Sequence, residues 1–331
     1  FVCYDQVVPN PDTDSIDAAG AAYRESGADL IVGIGGGSAL DTAKGVRVLA
    51  AESSEVRIGD YLSSRKVNRP LPPVRKMPPM IAIPTTAGTG SESTPWSLIT
   101  DTENRVKTGI GNQDLIPTIA LADPALTLTL PPFLTAATGM DALSHCIEAY
   151  VSTNDHPMLD PMILYGIELI GKSLCLAVAQ GSNEQARADL MLASLIGGIG
   201  IATKQLGACH SLAHPLSSLA DVQHGVANAL MLPYQMEYSL PGAFERYARI
   251  SKALDGPYQQ ADTLRQRALG AVEAVRLLCQ DTGLPVRLRD AGVEEEQLNP
   301  LGKAAYNDLN WMSNPRPVSE EILAELFKQA Y

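Results

Sequence analysis

Ala28-Asp29-Leu30-Ile31-Val32-Gly33-Ile34-Gly35-Gly36-Gly37-Ser38 is the stretch on which the reading of the fold turns. Its apolar run, flanked by glycine, has the signature of a strand buried on both faces, as in a parallel sheet. Ser38 then reads as the cap of a helix, with Asp41 three residues on as its capping-box partner. Ala39, Ala43, Val46 and Leu49 follow at helical spacing. The apolar runs at 80–83, closing at Pro84, and at 118–122, closing at Asp123-Pro124, read as two further strands. A proline-rich loop at 70–79 precedes the first of them. Strands separated by helical stretches specify an α/β unit with a parallel sheet.

The texture changes near residue 128. Pro131-Pro132 opens a stretch rich in Ala, Leu, Ile and Met, with helical periodicity over 135–150, 159–180, 183–202, 225–238 and 259–282. Gly181-Ser182, Pro241-Gly242 and Gly256-Pro257 punctuate it. The expected organisation is an α/β domain at 1–127 and an all-helical domain at 128–331, as befits 331 residues.

Composition narrows the function. The 37 acidic and 25 basic residues give a net charge of −12, with no electrostatic case for nucleic acid or an anionic membrane. The longest apolar run, 190–203, falls short of the roughly 18 residues a membrane span needs. Five unpaired-looking cysteines and no visible signal peptide suggest reduced thiols in a cytoplasmic protein.

Two loops look suited to a nucleotide. Gly33-Ile34-Gly35-Gly36-Gly37-Ser38 joins strand to helix, where free N–H groups and the absence of side chains favour a pyrophosphate. The pattern departs from the dinucleotide fingerprint, because Ser38 holds the sixth position and no acidic residue ends a second strand about 20 residues on. A plain tight turn stays open at this point. The second loop, Thr85-Thr86-Ala87-Gly88-Thr89-Gly90-Ser91-Glu92, lies beyond the carboxyl end of the next strand, where nucleotide crevices form.

Four of the five histidines fall in two short segments. Asp141 and His145 are four apart on a predicted helix, His210 and His214 are again four apart, and His224 follows ten residues later at the expected start of another helix. A lone histidine on an apolar face is usually a satisfied core residue. Four of them with an aspartate in apolar surroundings would be costly to bury unpartnered. Three imidazoles and a carboxylate make a typical site for a divalent transition metal. The set allows four ligands, or three and a catalytic group. His156, in a polar loop, reads as surface.

Together these segments resemble the iron-dependent (group III) alcohol dehydrogenases. The resemblance runs from Val7-Val8-Pro9-Asn10-Pro11 through the glycine and threonine loops to Ala136-Ala137-Thr138-Gly139-Met140-Asp141-Ala142-Leu143-Ser144-His145. It continues through His210-Ser211-Leu212-Ala213-His214-Pro215, His224-Gly225-Val226-Ala227-Asn228-Ala229 and Ser313-Asn314-Pro315-Arg316. It implies an N-terminal Rossmann-like parallel-sheet domain and a C-terminal helical domain of dehydroquinate-synthase-like fold. It implies Asp141, His145, His210 and His224 as metal ligands, with His214 as a catalytic residue in proton relay. Asn10, Gly36, Gly37, Ser38, Thr85, Thr86, Thr89, Thr94 and Lys107 match the family's cofactor-binding positions. Family members begin with a further strand and helix, so a preceding segment is expected to be missing here, and with it the residue that separates NAD from NADP.

The activity implied is reversible hydride transfer between a short primary alcohol and NAD or NADP. Fe²⁺ is the favoured metal, with Zn²⁺ or another divalent ion acceptable to the same ligands. The metal and cofactor are expected to meet between the domains. A homodimer or higher homo-oligomer is expected. Small apolar residues such as Leu143, Ile147 and Leu206 would favour short aliphatic substrates. The competing readings are a dehydroquinate-synthase-like NAD-dependent lyase, a metallohydrolase and a fragment without activity.

Overall fold

A computed structural model describes residues 1–104 and 106–331. It consists of two compact units, Phe1–Thr86 with Gly90–Leu126, and Ala87–Thr89 with Thr127–Tyr331.

In the first unit, helix α1 (Thr13–Ser26), strand β1 (Ile31–Gly35) and helix α2 (Gly37–Ala50) open the chain. Strand β2 (Met80–Pro84) lies parallel to β1 with Ile31 opposite Met80. Strands β3 (Trp96–Asp101) and β4 (Val106–Gly111) form an antiparallel hairpin that the apolar pattern does not reveal. The short β5 (Ile119–Ala120) pairs parallel with β2, giving the order β1-β2-β5. Leu40, Ala43 and Val46 of α2 pack with Ile31, Met80 and Ala82. Gly35 adopts φ +148°, a left-handed backbone that favours glycine at the strand-to-helix turn.

Two expectations are corrected here. β1 is buried on one face only: Ile31 points inward, while Val32 and Ile34 are 48% and 60% exposed. The reason is that α2 packs on β1 and β2 while α1 packs on α2, so among the described residues of this unit both helices serve one face. Ser38 does not cap α2 either. The N-cap is Gly36, which has no side chain to offer. Ser38 Oγ instead accepts the Asn10 N–H at 3.2 Å. The Asp41 carboxylate accepts Ser91 Oγ at 2.8 Å and the Leu98 N–H at 3.2 Å. The capping box belongs to α1, where Asp12 and Ser15 satisfy each other's backbone N–H.

The second unit is helical: α3 (Pro132–Val151), α4 (Asp160–Ala179), α5 (Glu184–Lys204), α6 (Ala208–Leu219), α7 (His224–Ser239), α8 (Phe244–Ala253), α9 (Leu264–Asp281), α10 (Leu298–Asn307) and α11 (Glu320–Ala330). Local chemistry sets many of the starts. A proline opens α3, and Asn183, Gln223, Thr263 and Ser319 cap α5, α7, α9 and α11. α3 is buried along almost its whole length and packs against α4, α5 and α7. Buried Arg187 fixes its first turn by donating to Thr135 Oγ1 at 2.7 Å and to the Leu130 carbonyl at 3.1 Å. α4 and α5 are long and apolar enough to cross a membrane by length and composition, which corrects the expectation from run length alone. Here they pack on α3 and on each other as core helices.

Candidate metal centre and nucleotide loops

Three helices each present two polar side chains one turn apart: Asp141 and His145 from α3, His210 and His214 from α6, and His224 and Asn228 from α7. They converge on one carboxylate oxygen. Asp141 Oδ1 lies 3.7 Å from His145 Nε2, 3.8 Å from His210 Nε2 and 3.6 Å from His224 Nε2. Ligand atoms of Asp141, His210 and His224 all fall within 4.8 Å of one another. The rings pack together as well. His145 stacks on His210 with centroids 4.8 Å apart, and His214 stacks on His224 at 5.4 Å. Asp141, His145 and His210 are buried, whereas His214 and His224 are partly exposed.

Each remaining imidazole contact comes from outside the cluster. His145 Nδ1 faces the Gly88 carbonyl at 3.2 Å, and a carbonyl can only accept, so this ring keeps its lone pair on Nε2. His214 Nδ1 faces Asp308 Oδ2 at 2.5 Å. His210 Nδ1 contacts the buried carboxylate of Glu148. Burial, with His145 and His214 nearby, holds the His210 imidazole well below its ordinary pKa and therefore neutral. Burial likewise pushes Glu148 up to about 7 against the backbone N–H groups that favour its charge.

The donor set fits a divalent transition metal. Asn228 Nδ2 sits 2.7 Å from Asp141 Oδ1 and 3.2 Å from Nε2 of both His210 and His224. An amide nitrogen has two hydrogens to give to these three acceptors. A cation among three imidazoles and a carboxylate satisfies all of them.

In the first unit, Asn10, Ser38 and Lys107 come together, with Lys107 Nζ donating to Asn10 Oδ1 at 3.0 Å. α2 begins at Gly36-Gly37 with no side-chain cap, so its first N–H groups are presented by backbone alone. The Thr85 N–H donates to the Gly35 carbonyl at 2.9 Å, and the Thr86 side chain lies beside Gly36. Thr89 belongs to the second unit. Thr94 closes the second loop on its inner side. It is buried, and its hydroxyl accepts the Lys44 ammonium at 3.1 Å, so it holds the loop together from inside. Leu143 and Ile147 are corrected. Both are fully buried core residues of α3 rather than pocket lining.

Lys44 escaped sequence reasoning. Its fully buried ammonium also donates to Ser91 Oγ at 2.9 Å and to the Trp96 carbonyl at 2.6 Å. Burial lowers its pKa from 10.5 to about 8, opposed by Asp41 and Glu92. Between those two values the unfolded chain holds a proton that the folded chain has lost, so the wild type gains stability as pH rises through this window. A Lys44→Met variant lacks that gain. The wild-type advantage should therefore grow by about 3 kcal/mol between about pH 7 and pH 10.5 in urea unfolding, at about 1.4 kcal/mol per pKa unit. An advantage that stays flat with pH would rule out early deprotonation of Lys44.

Glu148, Asn228 and Asp308 also escaped notice. Glu148 and Asn228 carried a faint signal, since Glu148 lies three residues past His145 and Asn228 four past His224. Asp308 lies 94 residues from His214 and carried none.

Comparison with known proteins gives the same family from both ends of the chain. The family model "Iron-containing alcohol dehydrogenase" matches residues 1–124, and "Fe-containing alcohol dehydrogenase family, C-terminal" matches 135–331. The chain is 38% identical over 328 residues to the 1,3-propanediol dehydrogenase of Klebsiella pneumoniae, covering 99% of this chain and 82% of the relative. It is 36% identical over 333 residues to the lactaldehyde reductase of Escherichia coli K12, covering 100% and 84%. Among solved structures it is similar to a 1,3-propanediol oxidoreductase, with TM-score 0.92, 37% identity and coverage of 99% and 84%. It is also similar to the sulfoacetaldehyde reductase of Bifidobacterium kashiwanohense in complex with NAD⁺, with TM-score 0.89, 29% identity and coverage of 99% and 82%.

Proposed function

The chain belongs to the iron-containing alcohol dehydrogenase family, and from that premise we propose how its own residues carry out reversible hydride transfer between a short primary alcohol and NAD. It is a metal-dependent alcohol dehydrogenase and aldehyde reductase. Family membership decides between the chemistries that the sequence left open, in favour of hydride transfer over lyase or hydrolase action. The observation that carries the proposal is the convergence of three imidazole Nε2 atoms on Asp141 Oδ1 at 3.6 to 3.8 Å.

Asp141, His145, His210 and His224 would hold the ion, Fe²⁺ by family, and Asn228 would keep the Asp141 carboxylate oriented. When bound, the ion supplies Lewis acidity that polarises the substrate oxygen. The open N–H groups at Gly36, Gly37 and Ser38 would take the cofactor pyrophosphate. Asn10 and Lys107 would lie along its ribose, and Thr85, Thr86 and Thr89 would line the second loop. Thr94, with Lys44, would set that loop's shape. The solved relative with NAD⁺ supports NAD as the cofactor. Five free cysteines, three of them buried, support a reducing, cytoplasmic setting.

His214 would move the proton. With Nδ1–H donated to Asp308, its Nε2 is left basic, and its partial exposure lets it exchange with solvent. In alcohol oxidation His214 Nε2 would take the hydroxyl proton and pass it to water, and a bound nicotinamide would supply the hydride acceptor. Reduction runs the same path backwards. Asp308→Asn would offer an amide N–H to Nδ1 and favour the wrong tautomer. A roughly hundredfold fall in kcat for alcohol oxidation is expected, with metal content unchanged. An unaltered kcat would remove His214 from proton transfer. The function as a whole is tested by oxidation of NADH and NADPH with a panel of short aldehydes, using anaerobically Fe²⁺-loaded protein. No turnover from folded, loaded protein would overturn it.

A further inference from the structure

Glu148 is fully buried on α3, one turn beyond His145, and both of its oxygens are committed. Oε1 accepts the Cys209 N–H at 2.7 Å and the His210 N–H at 3.4 Å, at the first turn of α6. Gly207, the N-cap of α6, has no side chain to do this, so Glu148 caps the helix from a neighbouring one. Oε2 meets His210 Nδ1. One carboxylate therefore fixes both the backbone that carries His210 and the ring itself.

We propose that Glu148 is a positioning residue that locks His210 in the Nδ1–H tautomer and aims its Nε2 lone pair at the ion. The inference rests on the metal-centre reading above. With Oε1 held by two backbone N–H groups that favour the ionised form, Glu148 as a carboxylate only accepts at Oε2, so the ring donates through Nδ1 and Nε2 is free to ligate. Outer carboxylates of this kind orient a metal-bound imidazole and raise its basicity.

Glutamine at this position cannot do both jobs. It has one acceptor oxygen and one NH₂ group. If the oxygen keeps the Cys209 N–H, the NH₂ faces His210 Nδ1 and donates to it. The ring proton then moves to Nε2, the atom the ion needs. Glu148→Gln therefore preserves volume and the helix cap while reversing the tautomer.

The test uses the metal-free protein labelled with ¹⁵N-histidine, with His210 assigned by its loss in a His210→Asn variant. Long-range ¹⁵N–¹H spectra should show His210 protonated at Nδ1 in the wild type and at Nε2 in Glu148→Gln. Competition for Zn²⁺ against a chromophoric chelator should show affinity lowered roughly 10- to 100-fold in Glu148→Gln, with NADH binding unchanged. A wild-type His210 protonated at Nε2 overturns the proposal whether or not the variant folds. So does a variant that keeps Nδ1–H and binds Zn²⁺ within threefold of wild type. A wild type that binds no Zn²⁺ overturns the metal-centre reading instead, while the wild-type tautomer still decides the role of Glu148.

Discussion

Alanine at His224 is expected to lower kcat/KM for aldehyde reduction by about a thousandfold or more, and chelation of the wild type is expected to do the same. The magnitude follows from the several kcal/mol that a Lewis acid contributes to a carbonyl transition state, at tenfold per about 1.4 kcal/mol. His224 is the right residue to remove. It begins α7, is partly exposed, and contributes one of the three nitrogens around Asp141 Oδ1. Its loss leaves Asp141, His145 and His210 in a shell of core side chains, so the fold should survive. NADH affinity should be unchanged, because the residues proposed to hold the cofactor lie elsewhere in the sequence. Activity within tenfold of wild type after exhaustive chelation would refute metal-dependent hydride transfer. Loss in the variant without loss on chelation would point to misfolding, which circular dichroism would reveal.

Alanine at Gly225 should destabilise the second unit strongly. A Cβ there would lie 2.2 Å from the Ala137 carbonyl oxygen and 2.7 Å from its carbon, so backbone meets backbone with no flexible side chain to yield. α3 and α7 would have to part. Overpacking of this kind typically costs about 1–3 kcal/mol, and a backbone obstacle puts this position at about 3 or above. For a unit of this size that lowers Tm by roughly 6–12 °C. The displacement also acts on the metal centre, because Asp141 rides on α3 and His224 directly precedes Gly225. Zn²⁺ should therefore raise the Tm of the variant by less than it raises that of the wild type. A Tm within 2 °C of wild type would show that the two helices are not in the contact described.

Sequence by itself determined what the chain's local geometry controls. A period of 3.6 residues puts Asp141 with His145 on a shared helix face whatever surrounds them, whereas the helix that does the same for His210 and His214, α6, was not among the expected stretches. The same periodicity located the helices that became α3, α4, α5, α7 and α9, to within a few residues except at the start of α9, expected at 259 and found at Leu264. Gly35-Gly36-Gly37 marked the strand-to-helix turn because only backbone freedom was at issue.

Tertiary structure decided which partners meet. Val32 and Ile34 have strand character in sequence, but whether a strand is buried on one face or two depends on where the helices land. Thr94 meets the buried ammonium of Lys44, 50 residues away, a partner that spacing does not reveal. Glu148 reaches His210 across 62 residues, Asn228 reaches Asp141 across 87, and Asp308 reaches His214 across 94. A hydrogen bond is short-ranged and directional, so its partners are chosen by how helices pack and not by their spacing along the chain.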